Sequence, residues 1–162
     1  MNANDRFEEL LPELRKVGEW IVSSKTSKKG EPYNIDFTLT EKVSDVVYFY
    51  VCSTTKELKY QGICTRPLEM RMREVKVGTQ SYCARKNAYE GSKRLTDQGD
   101  GALNRKIFDN GGVDIYIYEP PKKLIEETHL GVTIKCHASI VSVKDIEKAL
   151  NKHYLPQWNG QT

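Results

Sequence analysis

Residues 46–73 read VVYFYVCSTTKELKYQGICTRPLEMRMR. Residues 46–52 are an unbroken run of Val, Tyr, Phe and Cys, the composition of a buried strand. Residues 53–57 are small and polar and suit a turn. Residues 58–64 predict a second strand, so the pair forms an antiparallel hairpin. Pro67 then opens a helix at its first turn, where its missing N–H costs nothing, and residues 68–75 continue it.

Outward from this hairpin the pattern is mixed. Asn4 or Asp5 can cap a first helix, with Glu8 and Glu9 in its first turn. Phe7, Leu10, Leu11, Leu14, Val17 and Ile21 recur at helical spacing, with Pro12 ending a turn or kinking the helix. Residues 23–32 read as a loop and residues 34–40 as a short strand. Residues 78–101 are polar, basic and glycine-containing and predict a long loop, a length usually tied to function. Residues 103–110 predict a helix ended by Gly111 and Gly112. Residues 113–119 alternate as a third strand that Pro120 and Pro121 stop. Residues 130–138 fit neither pattern, and residues 145–154 predict a last helix ended by Pro156. The order predicts an α+β domain: a three-stranded, hairpin-based antiparallel sheet, extended at most by residues 34–40 and flanked by helices. Residues 1–45 read as a helical extension packing on a core of residues 46–162, with a basic insertion at 76–101.

Composition removes several classes. The chain has 162 residues, 38% hydrophobic and 29% charged, which is the balance of a globular domain rather than a disordered one. Its longest apolar run spans the seven residues 46–52, whereas a membrane-spanning helix needs roughly 20. The opening MNANDRFEEL has no basic start and no apolar stretch of a secretory signal. Cys52, Cys64, Cys83 and Cys136 lack CxxC spacing, which argues against a zinc ribbon and for reduced, mostly buried thiols in a cytoplasmic protein. His129, His137 and His153 have no metal-ligand spacing. Cys64 has no matched base and reads as packing.

The net charge of +3 is uninformative, but its distribution is not. Between Lys59 and Arg94 stand nine basic and three acidic residues. Such a stripe in a near-neutral chain is the footprint of a polyanion partner or a solvated charged face, and charge alone does not choose between them. Lys76, Arg85, Lys86, Lys93 and Arg94 are the candidate contacts, and the partner implied by the resemblance below is double-stranded DNA.

Tyr48 in VVY, Tyr60 and Gly62 in YQG, and the following TRPLEMR resemble the GIY-YIG nuclease superfamily. In that family a tyrosine on each hairpin strand faces the catalytic surface, and a helix then presents an arginine. The matching arginine here is Arg71. The closing IEKALNKHYLPQWN is similar to the family's last helix and terminal signature, with Glu147, Pro156 and Asn159 at the family's spacing. The resemblance covers residues 46–159. Tyr50 is a rival for Tyr48, since the two share a strand face. The sequence departs from the family at Gln61, where Ile or Val is usual, at Ile63, where many members carry Lys, and at Val75, where some carry His or Tyr. Lys76 and Tyr82 are nearby substitutes for that last group.

The resemblance implies a divalent-metal-dependent DNA endonuclease of restriction or phage type. Its catalytic residues would be Tyr48, Tyr60, Arg71 and Glu147, with Glu147 holding Mg²⁺ or Mn²⁺ and Gly62 and Asn159 in support. The chemistry suits these types. A lone carboxylate, water and phosphate make an ordinary Mg²⁺ shell. Arginine is a permanently charged fork for phosphate. A phenol can orient or deprotonate water beside positive charge. Recognition would then sit in the first 45 residues and the basic loop, with no appended domain after Asn159. Cutting both strands of a palindrome favours a homodimer. The alternative is a catalytically weak nucleic-acid-binding module that keeps the fold. Singly, each residue is ordinary: a half-buried strand tyrosine, a surface arginine, a glutamate pairing within its helix. Their joint order carries the reading.

Overall fold

The computed structural model describes residues 3–23, 34–77, 99–154 and 156–159. Their elements are α1 (Ala3–Leu10), a 3-10 turn (Leu11–Glu13), β1 (Arg15–Val22), β2 (Ile35–Leu39), β3 (Val46–Val51), β4 (Leu58–Cys64), α2 (Leu68–Val77), α3 (Gly99–Asp109), β5 (Val113–Tyr118), β6 (Lys122–His129), β7 (Val132–Ser139) and α4 (Val143–Tyr154).

β3 is the axis of the molecule. All six of its residues are buried, because it is hydrogen-bonded on both edges and covered on both faces. Its pleat divides the core. Val46, Tyr48 and Tyr50 pack with Ile115 and Ile117 beneath α2 (Leu68, Met72, Val75) and α3 (Leu103, Ile107). Val47, Phe49 and Val51 pack with Phe7 of α1 and with Val143, Ile146, Leu150 and Tyr154 of α4. Burying each large side chain is worth about 1.5–3 kcal/mol, so a strand apolar on both faces is the natural centre of a helix–sheet–helix sandwich.

The fold is α+β, as the sequence predicts, but the sheet is larger than the three strands expected. Its order is β2-β1-β5-β3-β4, with every neighbouring pair antiparallel. The first strand overturns the long N-terminal helix predicted through Ile21. Helix α1 stops at Leu10, and Pro12 sits at the start of the 3-10 turn that follows. Residues 15–22 then pair with β2 on one side and β5 on the other. Val17, Trp20, Ile21 and Val22 are strand formers, and two-sided pairing outweighs a helical spacing that buries nothing at Ile21, which is exposed. The first 45 residues therefore contribute two strands to the main sheet rather than a helical extension. β6 and β7 form a separate two-stranded sheet, turning at Leu130 and Gly131, both with positive φ. Half of β6 is charged, which hid its alternation.

Three helices are fixed at their ends. At the start of α4 the Ser142 hydroxyl donates to the Asp145 carboxylate at 3.0 Å and accepts the Asp145 N–H at 3.2 Å, a side-chain N-cap. α3 ends on Gly111 at φ +76°, with the Gly112 N–H bonded to Ile107 O and the Gly111 N–H to Phe108 O, both at 3.0 Å. Only glycine takes that left-handed position without strain. The C-terminal carbonyls of α2 are met by a buried side chain of α3. Asn104 Nδ2 donates to Val75 O at 2.8 Å and to Lys76 O at 2.5 Å. Replacing Asn104 by Ala leaves those carbonyls unmet in the core. It is expected to lower the urea-unfolding free energy by about 1–3 kcal/mol, with an unchanged m-value.

Candidate active site

β3 and β4 pair in a register that sets Tyr50 opposite Tyr60 and Tyr48 opposite Gly62. Alternation along both strands puts the three phenol rings on the face beneath α2. Their centroids lie 5.9 Å apart for Tyr48 and Tyr60, 5.3 Å for Tyr50 and Tyr60, and 5.6 Å for Tyr48 and Tyr50. Gly62 makes the arrangement possible. A Cβ on Gly62 would stand 2.6 Å from both Cζ and Oη of Tyr48, so the Tyr48 ring lies across bare backbone.

α2 lowers Arg71 onto this face. Arg71 is only 4% exposed, and its Nε donates to Tyr48 Oη at 3.0 Å. Glu74, one turn on, has a carboxylate oxygen 3.9 Å from Arg71 Nη1 and 2.8 Å from Arg66 Nη2. Of the two tyrosines that share the β3 face, Tyr48 meets the arginine, whereas Tyr50 donates its hydroxyl to the Met72 sulfur at 3.3 Å.

Glu147 comes from α4 and is half-buried. Burial raises its carboxyl above the ordinary glutamate value, and the nearby Arg71 charge pulls it back. Burial also pushes the Tyr48 phenol well above the usual tyrosine value, helped by Tyr60 and Tyr50 and opposed by Arg71. Tyr48 therefore keeps its proton at neutral pH. Tyr60 is the more exposed phenol of the pair. The Cys64 thiol is likewise raised by burial, against the Arg66 backbone bond and the Arg71 charge, so it stays a packed thiol.

Asn159 lies against β4. Its Nδ2 donates to Gln61 O at 2.8 Å and its Oδ1 accepts the Gln61 N–H at 2.9 Å. Beside it the Trp158 N–H donates to Lys59 O at 2.6 Å. Gln61 is itself fully buried, and its Nε2 donates to the Glu147 carbonyl at 3.1 Å. Its Oε1 has no partner among the described residues.

Tyr48, Tyr60, Gly62, Arg71, Glu147 and Asn159 are thus gathered around β4. Of the proposed DNA contacts, Lys76 lies at the end of α2 with its ammonium 3.3 Å from Asp36. Arg85, Lys86, Lys93 and Arg94 lie outside the described residues, as do Tyr82 and Cys83. His129 pairs with Glu127 at 2.9 Å, and His153 stacks edge-on against Tyr154. Among the described residues no group of three or more His, Cys, Asp or Glu could share one ion. Glu147, from α4, is a second carboxylate that feels the Arg71 charge, beyond Glu74, and a lone carboxylate suits an ion held mainly by water and phosphate. Cys52 and Cys64 are buried as expected, but Cys136 is exposed on the β6–β7 hairpin. Sequence reasoning undervalued Gln61 and Glu74. A glutamine in an otherwise apolar strand was the available signal for the first, and a glutamate three residues after the arginine for the second.

Two outcomes follow from this geometry. Gly62→Ala is expected to destabilise the fold by about 1–3 kcal/mol and to displace the Tyr48 ring, read by urea unfolding and by the tyrosine near-ultraviolet circular dichroism. Glu147→Gln is expected to raise the melting temperature at pH 7. The carboxyl is raised in the folded state, so its ionised form opposes folding above that value. The gain should shrink as pH falls through the raised value and vanish below the ordinary glutamate range. An unchanged melting temperature at pH 7 would contradict the burial of this group.

No protein-family model and no curated protein matches the sequence. Solved structures do. One is a glutamate-to-alanine mutant of bacteriophage T4 EndoII, 16% identical, with a TM-score of 0.57 over 95% of this chain and 98% of that one. Another is the restriction endonuclease Hpy188I in complex with product DNA, 14% identical, with a TM-score of 0.53 over 99% of this chain and 84% of that one. The chain shares the fold of these two structures, an α+β arrangement with a mostly antiparallel sheet flanked by helices.

Proposed function

We propose that this protein is a metal-dependent DNA endonuclease of the GIY-YIG type. The observation that carries the reading is the bond of the buried Arg71 to Tyr48 on a tyrosine-lined sheet face, with the Glu147 carboxyl of α4 within reach of the same guanidinium charge. The two solved structures described above support it, since both are of nucleases by name and one holds product DNA.

Hydrolysis of a phosphodiester needs water to attack phosphorus while the P–O bond to the leaving sugar breaks. Arg71 supplies a fixed positive charge to the non-bridging oxygens, and its burial makes that charge count for more than it would in water. The Tyr60 phenol orients the attacking water or, as its phenolate, takes its proton. Tyr48, held protonated and bonded to Arg71, fixes the guanidinium's direction, and Tyr60 is the phenol more open to water. Glu147 would hold Mg²⁺ or Mn²⁺. An ion held there would supply positive charge for the phosphate as the bond to the leaving sugar breaks. The basic stretch of residues 76–101 would take the DNA backbone, giving binding that weakens steeply with salt.

Plasmid and phage DNA incubated with the protein in Mg²⁺ should yield discrete fragments. Glu147→Ala and Arg71→Ala should each abolish them, and Tyr48→Phe and Tyr60→Phe should slow cleavage by about 10²–10⁴-fold, while salt-sensitive DNA binding persists. Salt-sensitive binding without cutting by the unaltered protein would favour a binding module that keeps the fold. Cutting that survives Glu147→Ala would refute the site.

A further inference from the structure

Gln61 stands in the middle of an edge strand with no exposed surface. Its neighbours on either side, Tyr60 and Gly62, face the phenol cluster. Alternation turns Gln61 the other way, toward α4, opposite Phe49 in the strand register. There it reaches the backbone of one residue in particular. Its amide Nε2 lies 3.1 Å from the carbonyl oxygen of Glu147. That carbonyl sits inside α4, where the helix ladder already supplies it with a donor. The glutamine bond is therefore additional, and no unmet helix end calls for it.

A buried amide with one oxygen unmet is a poor way to gain stability, since an apolar side chain of similar volume would fill the space without losing hydration. What the amide adds is direction. Most of the rest of the α4 contact is apolar: Val143, Ile146, Leu150 and Tyr154 lie on Phe7, Phe49 and their neighbours. Such packing attracts but fixes rotation and register weakly, whereas a hydrogen bond from a buried donor to a single carbonyl selects one seating. The carbonyl selected belongs to the residue whose half-buried carboxyl feels the Arg71 charge.

We infer that Gln61 is a positioning residue: by bonding the Glu147 carbonyl it sets the rotation and height of α4 on β4, and so aims the Glu147 carboxylate at the ion and phosphate. The inference rests on the nuclease reading above, in which Glu147 is the metal-holding group. Asn159 completes the anchor from outside, since its side chain takes both backbone groups of Gln61 and holds the strand from which the glutamine reaches.

The test compares Gln61→Leu and Gln61→Met, which keep the volume and remove the donor, with Glu147→Ala and with the double variant Gln61→Leu/Glu147→Ala. Thermal unfolding is recorded first, then Mn²⁺ affinity by electron paramagnetic resonance on the protein alone, then kcat and KM on plasmid DNA. The glutamine variants should melt no lower than the unaltered protein. Their KM should stay within about twofold, while kcat and Mn²⁺ affinity fall by about 10–100-fold, the usual effect of removing an outer-shell orienting group. On the Glu147→Ala background, Gln61→Leu should change nothing further. Folded glutamine variants with full kcat and full Mn²⁺ affinity, beside an inactive Glu147→Ala, would overturn the positioning role and leave the nuclease reading standing. Cutting or Mn²⁺ binding that survives Glu147→Ala would overturn that reading and this inference with it. Failure of both glutamine variants to fold would make Gln61 a pillar of the fold and overturn the positioning role as well.

Discussion

A guanidinium held out of water is the constraint around which this molecule is arranged. Arg71 is almost wholly enclosed, and a charge so placed costs several kcal/mol unless its surroundings answer it. The answer comes from three directions: the Tyr48 hydroxyl from the sheet, Glu74 from the same helix, and the field of Glu147 from across β4. Each source demands something of the chain. The tyrosine needs a glycine on the next strand to lie over. The helix needs its start at Pro67 and its end on Asn104. The glutamate needs α4 seated at one height. None of these demands is local, which is why the site has parts from β3, β4, α2 and α4.

The same arrangement separates stability from chemistry. Tyr50 and Tyr48 are two residues apart on one strand face, yet one spends its hydroxyl on a methionine sulfur and the other on an arginine. Glu147 is desolvated more than its arginine neighbour compensates, a standing cost of the kind that functional sites carry and well-packed cores avoid. The sheet absorbs it. β3 is paired on both edges and packed on both faces, so the strand bearing Tyr48 has little freedom to relax away from the strain beside it.

Much of this was legible in the residues. The hairpin of β3 and β4, the proline-opened α2, the third strand β5 and the closing helix all follow from composition, alternation and turn residues. The family-like order of Tyr48, Tyr60, Arg71 and Glu147 marked the positions that converge. What was not legible has physical causes. β1 carries hydrophobic residues at spacings that a helix and a strand can both use, and only pairing with β2 and β5, 13 and 91 residues further on from Val22 to Ile35 and Val113, decides between them. β6 is an exposed strand with charges on half its positions, so no apolar face announces it. Gln61 looked like a departure from a pattern, because a sequence shows that a residue is polar but not that it is buried against the backbone of a helix 86 positions away.

The amide of Asn159 has one more consequence. β4 is the last strand of its sheet, and an outermost strand offers its unpaired backbone groups to any extended chain that drifts past. At Gln61 both the donor and the acceptor are already taken, by a side chain that imitates one residue of a missing strand. The neighbouring carbonyl of Lys59 is taken by the Trp158 backbone. The C-terminal turn thus works as a selvedge: it finishes the border of the woven sheet along Lys59 and Gln61, where a foreign strand would find these backbone groups already taken.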